Sequence, residues 1–179
     1  PGNINDIAGL DLDGLAFTSA GGYSVTLGGI GIGQGIASLA GYNQLTGAIT
    51  QTAGSPIYVV AAGSTLDVQA TLDLGGHEAT FNVTGNLNLA GAIAGTSNDT
   101  LTFNQTGFTR LSGNNTFFGR LDLNAGALEA AGSQPFGSEN NGIRVGADGT
   151  LMLSGTDIAK ERLDLMGGAG ANGQGQVYV

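Results

Sequence analysis

Read for polarity alone, the chain is a succession of very short segments in which apolar residues alternate with Thr, Asn or Asp. Thr65-Leu-Asp-Val68, Leu72-Asp-Leu74, Thr80-Phe-Asn-Val83, Leu87-Asn-Leu89, Thr100-Leu-Thr-Phe103, Leu121-Asp-Leu123, Ile143-Arg-Val145 and Thr150-Leu-Met-Leu153 all follow this rule. A period of two marks a strand with one buried face. Corners rich in Gly and Asn separate the segments, at Gly75-Gly76, Gly85-Asn86, residues 95–99 and residues 113–115. No amphipathic helical stretch of roughly 10–15 residues alternates with them, which disfavours a βαβ arrangement.

Segments this short cannot bury their own apolar faces, but stacked coils can. The pattern therefore predicts an all-β chain folded as a right-handed, single-stranded parallel β-helix, a solenoid in which each turn covers the last. Leu66, Val68, Leu74, Phe81, Val83, Leu87, Leu89, Leu101, Phe103, Leu111, Leu121, Leu123, Leu128, Val145, Leu151 and Leu153 are the expected core. Asn and Thr at the corners are expected to stack and to satisfy backbone groups. With coils of about twenty residues spaced about 4.8 Å apart, the chain would make roughly nine coils and a rod of about 43 Å.

The pattern is regular over 61–179 and irregular over 1–60, all within a single segment, 1–179, expected to be a fragment of a longer protein. In the irregular part, residues 7–17 nearly alternate and Tyr23-Ser-Val-Thr-Leu27 alternates cleanly. Residues 36–42 fit either a helical turn or a bulged strand, and residues 45–52 and 57–60 read as strands. Pro56 stands where a strand begins, the place its missing N–H costs least. Residues 155–162 hold the densest charge cluster, read as a solvated loop or as one helical turn capped by Thr156 or Asp157. The strand pattern resumes at Leu163-Asp-Leu165 and Gln176-Val-Tyr-Val179, so the chain ends inside a unit. More chain, or another molecule, is expected to pair there.

One run combines all these features: Leu111-Ser-Gly-Asn-Asn-Thr-Phe-Phe-Gly-Arg-Leu-Asp-Leu-Asn-Ala-Gly-Ala-Leu128. It resembles the passenger-associated transport repeat of bacterial autotransporters, whose pattern is Leu-Ser-Gly-x-Asn-x-aromatic-x-Gly, an alternating strand, and x-x-Gly-x-Leu. Leu111, Ser112, Gly113, Asn115, Phe117, Gly119, Leu121, Leu123, Gly126 and Leu128 carry the match. Phe117 stands where Tyr is common, and Leu121 and Leu123 where Thr and Val are common; all three keep strand-compatible apolar side chains. The resemblance is strongest over 108–137. It implies a passenger exported across a Gram-negative outer membrane and displayed or released outside the cell, followed C-terminally by an outer-membrane β-barrel.

Composition narrows the function classes. Glycine, at 34 residues of 179, far exceeds the average of roughly 7%. No three-residue period accompanies it, so collagen is excluded, and 41% hydrophobic against 11% charged residues argues against disorder. The net charge is −9, and Lys160 is the only lysine. Nucleic-acid binding requires clustered cations that the arginines do not supply, and an anionic membrane surface is disfavoured for the same reason. No cysteine is present, which removes disulfide and thiolate-metal frameworks and eases passage of an unfolded thread through an oxidising compartment. The longest apolar run, residues 57–62, is far short of the roughly 20 residues that span a bilayer.

The candidates for chemistry are thin. The Gly-rich run 28–35 lacks the Lys-Ser/Thr end of a phosphate loop and reads as a coil pressed against its neighbours. Residues 168–173 match G-x-G-x-x-G, but residues 174–179 read as strand, so no helix N-terminus receives a pyrophosphate. His77, the sole histidine, has no nucleophile signature to serve and reads as a turn residue. Asp11, Asp13, Asp67, Asp73, Asp122 and Asp164 recur between apolar neighbours and are expected to face solvent. Asn82, Asn98, Asn104 and Asn114 fit the N-glycosylation acceptor, a pattern common in Asn- and Thr-rich sequence. No catalytic, cofactor or metal site is therefore expected.

The expected function is a non-enzymatic extracellular stalk or adhesin segment. Its partners would be host or neighbouring-cell surface molecules, or further copies of itself, with no nucleic acid. Two alternatives are a self-associating protein that forms fibres through open coil ends, and a polysaccharide-processing enzyme on the same fold. The few cationic residues leave the enzyme little with which to build a base.

Overall fold

The computed structural model describes residues 3–5, 9–96, 99–138, 142–156, 158 and 161–179, with side chains from residue 9 onward. The fifteen strands are β1 (Asn3–Asn5), β2 (Leu10–Phe17), β3 (Tyr23–Ser38), β4 (Tyr42–Gln51), β5 (Ile57–Val60), β6 (Thr65–Val68), β7 (Thr71–Asp73) and β8 (Ala79–Val83), then β9 (Asn86–Leu89), β10 (Ile93–Ala94), β11 (Leu101–Leu111), β12 (Leu121–Ala131), β13 (Ile143–Ser154), β14 (Leu163–Leu165) and β15 (Val177–Tyr178). Every strand pairing is parallel. No α-helix occurs among the described residues; a three-residue 3-10 turn, Ala171–Gly173, is the only helical element. The chain is a parallel β-solenoid of about seven turns.

The pairings resolve into three ladders, one for each face of the coil. A front face stacks 23–27 of β3, 42–45 of β4, β6, β9, 108–111, 127–131, 150–153 and β15. A second face stacks 10–12, 30–32, 48–50, β7 and β10. A third face stacks 14–17, 36–38, β5, β8, 101–105, 121–123, 143–145 and β14. Long strands such as β3 and β12 bend from one face to the next, and register shifts between Leu12 and Gly14, Gly28 and Ile30, and Leu123 and Ala125 mark the bends. An extra residue on one strand is what lets a ladder turn a corner.

The alternating pattern produces inward columns. Tyr58, Phe81, Phe103, Leu123, Val145 and Leu165 stand in register on the third face. The Tyr58, Phe81 and Phe103 rings stack with centroids 4.8 Å apart at each step. That spacing is the separation of paired strands, about 4.7–4.9 Å, so the backbone ladder sets the ring stack. On the front face Leu45, Val68, Leu89 and Leu111 form a second column. Of the expected core, all but Leu153 are buried. Leu153 is partly buried, because the coil above narrows to the two-residue β15 and Val179 beyond it is 91% exposed.

Residues 10–60 fill the same ladders as the rest and hold the sixteen-residue β3. Their Gly and Thr content hides the alternation without breaking it. Residues 36–38 end β3 and residues 39–41 turn, with no helical turn between. In one column of the front face Asn43, Leu66, Leu87, Thr109, Leu128 and Leu151 succeed one another, so each turn consumes more than twenty residues on average. Seven turns give a rod of roughly 34 Å at about 4.8 Å per coil, shorter than the sequence estimate.

Phe103→Ala is expected to destabilise the chain by about 3–5 kcal/mol, seen as a lowered urea midpoint. Loss of a cavity-sized ring from the end of the Tyr58–Phe81–Phe103 stack is the cause, and an unchanged midpoint would contradict it.

Candidate functional site

The stretch 111–128 runs from one corner through two faces, and its characteristic residues each have a stacking task. Asn115 is fully buried. Its Oδ1 accepts from the Ile93 N–H at 2.8 Å in the coil below. Its Nδ2 donates to the Pro135 carbonyl at 2.6 Å in the coil above, and its backbone N–H donates to the Gln134 carbonyl at 3.0 Å. One amide thus ties three successive coils where the strand ladder is interrupted. Phe117 is fully buried beside it, and its carbonyl accepts from the Ser138 N–H at 2.8 Å. Gly119 is forced by proximity: a methyl there would collide with the Asp99 backbone carbonyl. Leu121, Leu123 and Leu128 complete the inward columns.

Other corners repeat the device. Asn43 Oδ1 accepts from the Tyr23 N–H at 3.0 Å, while its Nδ2 donates to Ser38 Oγ and to the Ala40 carbonyl at 2.9 and 2.8 Å. Ser38 and Ser64 hydroxyls meet at 2.5 Å. Gln105 Nε2 donates to the Ala127 carbonyl at 2.8 Å and its Oε1 accepts from Thr109 Oγ1. On the outer third face, Asn124 donates to Asn104 at 2.8 Å and Asn104 to Asn82 at 3.4 Å, an asparagine ladder across three coils.

Two carboxylates depart from the expectation that they face open solvent. Asp67 is 4% exposed and Asp122 7%. Asp67 lies at the centre of a polar patch on the front face. Tyr42 Oη, Gln44 Nε2 and Gln69 Nε2 donate to its Oδ2 at 2.9, 3.1 and 2.8 Å, and Asn88 Nδ2 donates to its Oδ1 at 2.7 Å. The donors come from three adjacent coils, which is why alternation within one strand could not reveal them. Burial pushes the Asp67 carboxyl up, but the hydrogen bonds from Gln44, Tyr42, Gln69 and Asn88 together outweigh burial and hold it below its ordinary value. The same hydrogen bond to Asp67, with some burial, raises the Tyr42 phenol. Asp122 is gripped by Arg120 through Nε at 2.6 Å and Nη2 at 2.7 Å, a bidentate pair that raises the Arg120 guanidinium further. Asp122, Arg144 and Asp164 stand in one register column, with Arg162 paired to Asp164 at 3.0 Å. Asp11, Asp13 and Asp73 are exposed, in line with the sequence reading.

The remaining candidates are dispersed. His77 sits in the turn after β7, its N–H bonded to the Leu74 carbonyl. The Gly-rich run 28–35 is interior to β3, with Gly35 lying against the Ile57 backbone. Residues 168–173 form a loop leading through the 3-10 turn into β15. Asn82 and Asn104 stand on the third face and Asn114 at an exposed corner, while Asn98 falls outside the described residues. In the charged cluster, Asp157 and residues 159–160 also fall outside them, and with them the expected helical turn; the Thr156 hydroxyl donates to the Ala130 and Gly132 carbonyls at 3.2 and 3.1 Å. Among the described residues no group of three or more His, Cys, Asp or Glu side chains is placed to hold a metal ion, and no helix is long and apolar enough to cross a membrane.

The arrangement defines a class, a parallel β-solenoid with polar ties at its corners. No protein-family model, curated protein or solved structure matches the chain.

Asp67 supplies a pH test. A depressed carboxyl contributes stability that is present above its unfolded value, 3.8, and is lost as pH falls through the lower folded value. Asp67→Asn is therefore expected to cost about 1.5–3 kcal/mol at neutral pH. The gap to the native chain should close as pH drops below about 4. Urea unfolding at several pH values reads both numbers, and a gap independent of pH would refute the assignment.

Proposed function

We propose that the chain is a non-enzymatic stalk segment of an autotransporter-like passenger, working outside a Gram-negative cell. The observation that carries this reading is the coincidence of the repeat-like stretch with the three-coil tie. Asn115, Phe117 and Gly119, the residues that bring the resemblance, are those that lock consecutive coils together. A lock of this kind makes each coil a template for the next and gives a thread emerging from an outer membrane a reason not to slip back. The filled inner columns suit a stiff spacer, because each turn is held by the full width of its neighbours.

A second reading, self-association into fibres, is favoured by the last coil. β14 and β15 pair with β13, and beside them Leu165 and Tyr178 are 50% and 57% exposed, an apolar surface that a second copy would cover. Sedimentation over a wide concentration range dismisses this reading if the chain remains monomeric throughout.

The stalk reading is tested by joining the chain to an outer-membrane transport barrel in a Gram-negative host and digesting intact cells with protease. The native chain should be reached from outside, and Asn115→Leu should reduce the reachable fraction several-fold. Retention of the folded native chain in the periplasm would sink the reading.

A further inference from the structure

The corner between the third and front faces changes along the rod. It is tight in β11 at 105–108 and in β12 at 123–127, wider in β13 at 145–150, and in the last coil it extends over residues 166–176. This last connection consists, from 167 to 175, of Gly, Ala, Asn and Gln alone, so it brings no large apolar side chain to the core. It turns back along the axis, and the Gly170 N–H donates to the Ala147 carbonyl at 3.1 Å. Two buried polar side chains hold its backbone. Thr150 Oγ1 donates to the Gly175 carbonyl at 2.6 Å and accepts from the Ala171 N–H at 2.8 Å. Gln176 Nε2 donates to the Val145 and Gly146 carbonyls at 3.0 and 2.7 Å, and its Oε1 accepts from the Gly167 N–H at 3.0 Å. Within the loop Asn172 adopts φ 53°, the left-handed conformation that Asn tolerates better than most non-glycine residues and that suits it to a tight turn.

A Gly-rich loop loses much conformational freedom on ordering, and this one returns little burial. Its fixed shape is what a preorganised wall of a binding groove requires. Such a groove lies beneath it, with a volume of about 370 Å3, within the range of roughly 300–1,000 Å3 typical of small-ligand sites. Gln105, Thr106, Gly126, Asp148, Ala171 and Asn172 are among its lining residues. Gln105 is committed to Thr109 and the Ala127 carbonyl, so it shapes the wall. Gly126, at φ 80°, lies against Gln105, where a side chain would collide with the wall. The polar groups available to a ligand are the Asp148 carboxylate, the Asn172 amide and the Thr106 hydroxyl.

Among the described residues the lining holds no cation and no aromatic ring. An anion finds no counter-charge there, and a flat ring finds nothing to stack on. A carboxylate that only accepts, beside an amide and a hydroxyl that do both, complements a neutral ligand carrying several hydroxyls. We propose that this groove binds a neutral sugar unit of a surface glycan, with Asp148 accepting from its hydroxyls and Asn172 and Thr106 fixing its orientation. The proposal names the partner class for the stalk reading and rests on it.

Saturation-transfer NMR and calorimetry on the purified chain test it, with glucose, galactose, mannose, N-acetylglucosamine and their disaccharides as probes and ethylammonium as a cationic control. At least one neutral sugar should bind at millimolar concentration. Asp148→Ala, on the exposed surface, should weaken it by about tenfold, with circular dichroism and melting temperature unchanged. Thr106→Val should weaken it less. Absence of binding by every sugar, binding unaffected by Asp148→Ala, or tighter binding of ethylammonium than of any sugar would each overturn the proposal. Surface display without sugar binding would remove this groove's role and leave the stalk, whereas binding without display would do the reverse.

Discussion

Everything in this molecule depends on one distance, the separation of about 4.8 Å at which one coil's backbone meets the next. At that spacing each strand's N–H and C=O groups find partners only on other turns of the chain. The same spacing brings the rings of Tyr58, Phe81 and Phe103 into stacked contact and places Asn82, Asn104 and Asn124 in a chain of amides. A turn alone has neither satisfied backbone nor covered core. Stability is therefore built up between neighbours along one axis, in contrast to a globular core shared by the whole domain.

Strands are the easy part of such a fold, and corners are the hard part. Where the chain bends, the ladder is broken and polar backbone groups face the interior, where an unpaired group is costly. The chain answers with side chains that imitate a backbone: Asn115, Asn43, Gln105, Thr150 and Gln176 each carry hydrogen bonds from one coil to another. Glycine serves the complementary need. Gly119 occupies a place where the Asp99 backbone leaves no room for a side chain. The unusual abundance of Gly and Asn is thus a corner requirement repeated about seven times over.

Legibility in the sequence tracks the range of the forces involved. Inward positions such as Leu66, Phe103 and Leu123 are legible because alternation is local, set by the pleat of a single strand. The special character of 111–128 is legible because its Asn and Gly stand at fixed offsets from a strand. The shelter of Asp67 and Asp122 is not legible from alternation: the strand pattern points both outward, and Tyr42, Gln44 and Asn88 from adjacent coils cover the first. Arg120, two positions from Asp122, is open to recognition as its partner, since neighbouring outward positions share a face. The groove under 166–176 is beyond such reach, because it is made by a loop folding over corners from turns far back in the chain.

The direction of the ladders has a mechanical corollary. Strands lie across the rod, so tension applied at its two ends opens the hydrogen bonds of a terminal turn one after another, as in a zipper, and never shears a whole face at once. Such a rod yields early, gives up its length turn by turn and absorbs work at each step. The amide of Asn115, anchored to Ile93 on one side and Pro135 on the other, adds a side-chain tie to the backbone bonds that such unwinding must break.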